Sequence, residues 1–166
     1  VGLLLMIEYG TDQQKAEWID GLAEGSAGFA FGITEPEHGS DATHMETTAR
    51  REGDEWVING SKTWNTGIHK AKYDLIFART SGEAGDGKGI TAFLTPTHSD
   101  GFQVEEMLWT FNMPTDHGRI SLKDVRVPRE AILGGEGRGL AVVQHFFNEN
   151  RIRQAASSLG AAQFCI

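Results

Sequence analysis

The spacing of apolar residues predicts helices before residue 26. Residues 3–9 have the pattern of a helix end, and apolar residues recur at helical spacing from residue 12 onwards. Thr11 is a favourable N-cap for this second helix, and Gln14 stands three positions later, as in a capping box. Gly25 is typical of a helix C-terminus. The sequence therefore predicts a short helical part at the start of the chain.

The middle of the chain changes to the pattern of short strands. We predict seven or eight of them, with a turn at Gly53-Asp54, a two-residue hairpin signal at Asn59-Gly60 and an exposed hairpin loop over 81–88. The predicted strands cover residues 27–33, 47–51, 55–58, 61–64, 73–80, 90–94, 102–107 and 119–127.

Helical spacing returns after the glycine-rich segment 134–139. Residues 140–166 carry an apolar stripe that predicts one long helix, or two helices broken near Gly160. The whole order predicts an α+β fold, in which a central antiparallel β-barrel or sandwich is flanked by helical segments.

The same order suggests a division into domains. We expect residues 1–26 to end an N-terminal helical domain, 27–133 to form a middle β-domain, and 134–166 to begin a C-terminal helical domain. Because the chain begins with Val1 and ends on an apolar run, we expect both ends to have been cut from a longer protein.

Composition and charge exclude several function classes. The 166 residues carry a formal net charge of −8 and no basic run, which argues against a nucleic-acid surface. The longest apolar stretch, residues 3–7, is too short to span a membrane. The single cysteine, Cys165, cannot form an internal disulfide, which fits a reducing compartment and a cytoplasmic location, or the mitochondrial matrix in a eukaryote.

A polar loop directly follows the first predicted strand, in the stretch FGITEPEHGSDA (31–42). Pro36 keeps the residue before it out of the helical region, and Gly39 permits a tight turn that brings Ser40 and Asp41 together. Such a loop can cradle a phosphate or the edge of a heteroaromatic ring. The alternative is a solvated connection in which these side chains cap local turns.

Two further segments hold candidate binding residues. Trp64 and Thr66 offer an aromatic plane beside a hydroxyl group, which suits a planar ligand; the alternative is a core tryptophan at a strand end. On the last helix, Asn148 and Arg151 share a face, where Arg151 could meet an anionic or carbonyl-bearing ligand. The alternative for Arg151 is a surface ion pair with a carboxylate such as Glu149.

Other chemistries find no support. His38, Ser40 and Asp41 lie too close in sequence to line up as a catalytic triad, and no G-x-S-x-G motif is present. The carboxylates and histidines between 37 and 44 match no zinc spacing, so we predict no metal site. No dinucleotide-binding or P-loop glycine motif occurs.

Four segments in this order and spacing resemble the acyl-CoA dehydrogenase family: FGITEPEHGSDA, DEWVINGSKTWNT, LKDVRVPREAILGGEGRGL and FFNENRIRQAASSLGAAQ. The resemblance covers nearly the whole chain. It implies a flavoenzyme that removes hydrogens from the α- and β-carbons of an acyl-CoA thioester, with FAD held at the β-domain.

The resemblance also implies roles for individual residues. Phe31, Ile33 and Thr34 would line the flavin, Trp64 would stack near its ring system, and Thr66 would hydrogen-bond its N5 side. Ser40 matches a position near the FAD pyrophosphate and the acyl-CoA. Asn148 and Arg151 fall where the family's first C-terminal helix approaches the CoA.

The resemblance further implies what this chain lacks and what the parent protein would contact. The family's catalytic glutamate falls beyond residue 166, so we assign no catalytic residue within the chain. An electron-transfer flavoprotein-type acceptor and a homo-oligomeric parent enzyme would be expected. The segment FNMPTDHGRISLKD departs from the family's commoner pattern, and Asn148 stands where many relatives carry Asp, which leaves the acyl-chain specificity open. An acyl-CoA oxidase or flavin-dependent hydroxylase of the same architecture, and a non-catalytic β-sandwich binding module, are the alternatives.

Overall fold

The computed structural model describes residues 2–166 and contains helices at both ends of a β-rich body. The helices are α1 (Gly2–Tyr9), α2 (Asp12–Glu24) and α3 (Gly139–Cys165). The strands are β1 (Phe29–Gly32), β2 (Thr48–Glu52), β3 (Glu55–Thr66), β4 (Tyr73–Arg79), β5 (Ile90–Pro96), β6 (Phe102–Thr110), β7 (Met113–Pro128) and β8 (Ile132–Leu133). The predicted α+β class is confirmed, whereas the predicted domain boundaries remain a prediction.

Helix α2 begins and ends as its sequence predicts. The Gln14 amide N–H donates to Thr11 Oγ1 at 3.2 Å, and the Thr11 N–H donates to Gln14 Oε1 at 3.0 Å, which completes the capping box. Gly25 ends the helix in the left-handed conformation at φ 79°. The Gln14 side chain also donates to the carbonyl oxygens of Glu130 and Ile132, so the cap ties α2 to the β-body.

The sheet corrects two details of the predicted architecture. Its strands follow the order β6-β7-β3-β2-β4-β5-β8, and within the described residues this path does not close into a barrel. Most neighbours are antiparallel, but β1 pairs with β4 in parallel, with Phe31 opposite Leu75. Alternating hydrophobicity cannot reveal the direction of pairing. Because β1 leads into a long loop and not a tight turn, its neighbour is a later strand.

The Asn59-Gly60 hairpin prediction is wrong. Strand β3 continues through these residues, and a register shift against β7 places a bulge there. Gly60 has a φ of 149°, and Asn59 exchanges two hydrogen bonds with Asp124 of β7, at 3.0 and 2.9 Å. The predicted turn at Gly53-Asp54 does connect β2 to β3.

Two apolar clusters lie on opposite faces of the sheet. Along β4, Leu75 and Phe77 belong to the cluster under the helices, while Ile76 and Ala78 belong to the other. Because successive side chains of a strand point to opposite faces, β4 is buried on both sides. The second cluster contains Trp56, Ile58, Phe93, Ile120, Leu122, Val125 and Val127.

Helix α3 touches the body only near its start. Val142 and Val143 are fully buried, and Phe146 and Phe147 are partly buried against the same cluster. From residue 151 onwards every residue of the helix is exposed. The helix runs without a break through Gly160, so of the two sequence alternatives the structure has the single long helix.

Candidate functional site

The end of β1 presents the first candidate residues. The Phe31 ring lies 4.8 Å from the ring of Phe146 on α3 and 5.7 Å from that of Phe77, measured between centroids. Ile33 is buried in the same cluster. Phe31 therefore joins the end of β1 to the start of α3, and Ile33 anchors the chain directly after β1 in the same core.

A backbone hydrogen bond joins the two polar segments predicted from the sequence. The Thr63 N–H on β3 donates to the Thr34 carbonyl oxygen at 2.9 Å. Thr34 lies just after β1, and Trp64 is the next residue after Thr63. The hydrogen bond therefore brings Thr34 and Trp64, which are far apart in the chain, close together. We call the group formed by Thr34, Trp64 and Thr66 the polar rim.

Trp64 lies outside the core because the backbone of β3 is irregular at this point. The register against β7 shifts between Lys62 and Asn65, and Trp64 takes a left-handed φ of 64°. Its side chain is 47 % exposed, although Thr63 and Asn65 on either side are buried. The alternative of a core tryptophan is therefore wrong.

The Thr66 hydroxyl group has one side-chain hydrogen-bond partner among residues 2–166. It lies 2.9 Å from His117 Nδ1, and which of the two groups donates depends on the tautomer of the imidazole. The same His117 ring packs edge-on against Trp64, with a centroid distance of 6.1 Å. His117 on β7 thus holds two members of the polar rim together, a role that the sequence did not reveal.

A buried ion pair adjoins the polar rim, since Glu35 follows Thr34 and Lys62 precedes Thr63 in the chain. Lys62 Nζ is 2.8 Å from Glu35 Oε1, and the two residues are 0 % and 4 % exposed. Burial by itself raises the pKa of Glu35, but the Lys62 charge and hydrogen bonds from Lys62, Thr47 and Glu46 outweigh it and hold the pKa below its ordinary value. Burial lowers the pKa of Lys62, against the pull of Glu35. Because the Glu35 carboxylate accepts from three donors and its pKa is lowered, it is ionised, and the ammonium form of Lys62 balances its buried charge.

Asn65 and Asp74 form a second buried polar pair. Asn65 Nδ2 donates to Asp74 Oδ2 at 2.5 Å, and both residues are fully buried. Burial raises the pKa of Asp74 to about 7, although the Asn65 hydrogen bond and the Lys62 charge act in the opposite direction. A side chain on Gly32 would come within 3.1 Å of Asn65 Nδ2 and 3.2 Å of Asp74 Oδ2, so β1 needs glycine at this point.

The sequence profile of the family described as "Acyl-CoA dehydrogenase, middle domain" matches residues 30–125, more than half of the chain. The chain belongs to the acyl-CoA dehydrogenase family. The resemblance inferred from the sequence motifs is thus confirmed.

Relatives in the acyl-CoA dehydrogenase family match almost the whole chain. The acyl-CoA dehydrogenase FadE12 of Mycobacterium tuberculosis is 38% identical over 163 residues, which are 98% of this chain and 42% of that protein. The mitochondrial short-chain specific acyl-CoA dehydrogenase of Rattus norvegicus is 36% identical over 161 residues, 95% of this chain and 38% of that protein. The chain therefore spans about two fifths of the length of these relatives.

Solved acyl-CoA dehydrogenases share the fold. The crystal structure of the acyl-CoA dehydrogenase from Geobacillus kaustophilus matches with a TM-score of 0.77 and 30% identity, over 86% of this chain and 38% of that one.

Ser40 lies apart from the polar rim contacts. It is exposed in the loop between β1 and β2, where Asp41 caps a short helical turn by accepting from the Thr43 N–H at 3.1 Å. His44 Nδ1 lies 2.7 Å from Asp41, and His38 Nε2 lies 3.2 Å from Glu46. This part of the loop therefore follows the local-capping alternative, and the implied role of Ser40 stays a prediction.

Asn148 and Arg151 meet on the exposed part of α3. Arg151 Nη1 donates to Asn148 Oδ1 at 3.1 Å, and its guanidinium group lies 5.7 Å from the centre of the Phe147 ring. Arg151 also reaches Gln144 Oε1 at 3.4 Å. The shared face predicted from the spacing is present, and the contact with substrate stays a prediction.

A cleft near the candidate residues lies beside the polar rim and does not contain it. It has a volume of about 550 Å³ and lies between the C-terminus of α2, the start of β1 and the loop after β3. Of the candidate residues only Thr66 lines it. The polar rim is an open edge and not a closed pocket.

Sequence reasoning missed the two buried polar pairs. A lysine and an asparagine in a strand are usually placed on the solvent side, and nothing local in the sequence marks Glu35 as the partner of Lys62, 27 positions away. One available signal was Pro36, because a carboxylate beside a forced extended turn is well placed to bind backbone N–H groups.

Proposed function

We propose that this chain is the middle part of an FAD-dependent acyl-CoA dehydrogenase. The parent enzyme, called the full-length protein below, would form a 2,3-enoyl-CoA from an acyl-CoA thioester. Family membership supports this reaction class. The observation that carries the assignment of the site is the hydrogen bond from Thr63 N–H to the Thr34 carbonyl, because it unites the two polar segments into one edge.

The residues of the polar rim fit one edge of the FAD ring system. A half-exposed indole offers an apolar face for stacking, and the neighbouring residues Thr34 and Thr66 carry hydroxyl groups that can form hydrogen bonds. Phe31 and Ile33 fix the end of β1 beneath it. FAD, when bound, supplies the two-electron chemistry as acceptor of the substrate's β-hydride. The chain contributes orientation and hydrogen-bond donors aimed at developing charge.

No residue of the chain is assigned to remove the α-proton. Glu35 is buried and its carboxylate oxygens already accept three hydrogen bonds, so it is not free to serve as a base. We place the base in another part of the full-length protein. The acyl-CoA would pass near Ser40, Asn148 and Arg151, since the Arg151 guanidinium can pair with an anionic group of CoA.

The remaining assignments belong to the same proposal. We expect an electron-transfer flavoprotein-type acceptor and a homo-oligomeric enzyme. No helix within residues 2–166 is long and apolar enough to cross a membrane. The location, cytoplasmic or in the mitochondrial matrix, stays a prediction.

The test is anaerobic reduction of the full-length protein by a panel of acyl-CoA thioesters. We expect a purified yellow protein whose flavin absorption bleaches with one or more of them. Replacement of Thr34, Trp64 and Thr66 by alanine together would reduce the bound flavin and slow its reduction, whereas alanine at the exposed turn residue Asp54 would change neither. A colourless protein would favour the binding module, and fast reoxidation of the reduced flavin by oxygen would favour an acyl-CoA oxidase. Unchanged flavin binding in the triple variant would remove the polar rim from the site.

A further inference from the structure

We propose that the buried pair of Glu35 and Lys62 is a positioning element, which clamps the loop after β1 onto β3 and so sets the placement of the polar rim. The inference rests on the proposed function in naming FAD as the ligand that the rim holds. Neither residue touches that ligand in this proposal. They act through Thr34 and Trp64.

The Lys62 ammonium group joins β3 to the end of β1. Its Nζ donates to Glu35 Oε1 at 2.8 Å and to the Ile33 carbonyl oxygen at 3.2 Å. These two acceptors stand on either side of Thr34 in the chain. Lys62 therefore binds the residues on either side of Thr34, through the backbone carbonyl of Ile33 and the side-chain carboxylate of Glu35.

The Glu35 carboxylate joins the same point to the approach to β2. Its Oε2 accepts from the Glu46 N–H at 2.6 Å, and its Oε1 accepts from the Thr47 N–H at 2.9 Å. The segment from Glu35 to Thr47 is thus closed into a loop whose two ends share one carboxylate. A short turn inside it, with His38 N–H donating to the Glu35 carbonyl at 3.3 Å, fixes the departure from β1.

The Glu35–Lys62 clamp is connected to the polar rim through the residues of β3 that follow Lys62. Thr63, next to Lys62, donates its N–H to the Thr34 carbonyl, and Trp64 follows in the left-handed conformation. A shift of Lys62 would therefore move both the stacking side chain and the Thr34 backbone. The side-chain hydrogen bonds of the clamp and the backbone hydrogen bond from Thr63 to Thr34 therefore act on neighbouring residues of the same two segments.

The contribution of this ion pair to folding stability does not by itself explain why two charged residues are buried here. A buried ion pair often contributes little net stability, because desolvation of both charges offsets their attraction, and a well-packed apolar pair can serve as well. Two charged groups that take part in four hydrogen bonds across three segments instead specify one arrangement of those segments. Directional bonds of this kind are suited to fixing a ligand edge, which apolar packing is not.

Two variants of the full-length protein separate positioning from stability. Lys62→Met removes the ammonium and leaves the Glu35 carboxylate buried without its counter-charge, so we expect a lower Tm. Combining it with Glu35→Gln removes that charge while the amide oxygen can still accept from Thr47 N–H, so we expect most of the Tm to return. In both variants we expect FAD to bind about tenfold more weakly or worse, with a shifted visible flavin spectrum, because the rim is displaced.

The control is Val127→Ala. Val127 is fully buried in the second apolar cluster, opposite Trp56 on β3, and contacts neither the loop nor the rim. Its truncation lowers the Tm through lost packing. We expect its FAD affinity to stay within about twofold of the unsubstituted protein, since the clamp is intact.

Amide hydrogen exchange provides a readout that needs no flavin. The Thr63 amide, which donates to the Thr34 carbonyl, should lose protection in the Lys62→Met and double variants, and the Glu46 amide should lose it in the double variant, where the Glu35→Gln amide group replaces the acceptor oxygen; neither should change in Val127→Ala. Retained protection, or a double variant with the flavin affinity and spectrum of the unsubstituted protein, would overturn the positioning role. If the unsubstituted protein holds no flavin, the proposed function fails and the flavin-positioning role fails with it, whereas the exchange data still decide whether the pair clamps the loop.

Discussion

The buried carboxyl group of Asp74 gives the fold a pH-dependent stability. Burial raises its pKa to about 7 from an ordinary 3.8, so between these values the folded protein keeps a proton that the unfolded chain releases. The stability of the fold should therefore fall as the pH rises through this window and level off above it. Asp74→Asn keeps the hydrogen-bonding shape without titrating, so its Tm relative to the unsubstituted protein should rise between pH 5 and pH 8, by the equivalent of on the order of a few kcal/mol. Thermal unfolding of the full-length protein at both pH values measures this. Asp54→Asn, at an exposed turn, is the control, and equal pH dependence of both variants would contradict the assignment.

Residue types at the candidate site can be predicted from the sequence, but the burial of individual side chains cannot. The types of the rim residues could be predicted, since a polar run after a strand and a tryptophan beside a threonine are visible locally. The burial of Lys62 and Asp74 could not, because a charged side chain is buried only where the fold supplies a partner from a distant segment. Trp64 shows the same limit, since its exposure depends on a bulge opposite β7.

At the scale of elements, local signals were reliable for α2 and misleading for β3. The capping box of α2 needs only residues within one turn, so the sequence is sufficient to predict it. The Asn59-Gly60 signal favours a hairpin, but pairing with β7 keeps the strand continuous and leaves Gly60 at the bulge.

The backbone at Gly60 has no room for a side chain, because an added Cβ would approach the Thr47 Cα to 2.7 Å. We therefore expect Gly60→Ala to cost about 1–3 kcal/mol of stability, from both φ strain and collision. Gly53→Ala is the matched control, because Gly53 has a φ of 64° with open space around it. A cost at Gly60 no larger than at Gly53, measured by thermal unfolding, would show that the collision relaxes.

At the scale of the whole molecule, the proposed site is open on one side. Trp64 and Thr66 of the polar rim are exposed, and α3 carries Asn148 and Arg151 on a stretch that leaves the body after Phe147. Large apolar side chains stand free along the same helix, including Ile152, Leu159 and Phe164, at 74%, 72% and 92% exposure. Electrostatic stabilisation of a reacting ligand is strong only where water is excluded. We therefore predict that residues 1–166 alone neither hold FAD tightly nor dehydrogenate acyl-CoA.

The measurement compares residues 1–166, checked for folding by near-UV circular dichroism, with the full-length protein under the same conditions. We expect the full-length protein to retain flavin through gel filtration and to be reduced by acyl-CoA, while the folded shorter chain loses added flavin and shows no reduction. Hydrogen exchange should at the same time show residues 151–165 of α3 protected only in the full-length protein, because their exposed apolar side chains would be covered there. Turnover by the shorter chain would mean that the α-proton is removed by a residue within these 166, and would reopen the assignment of the base.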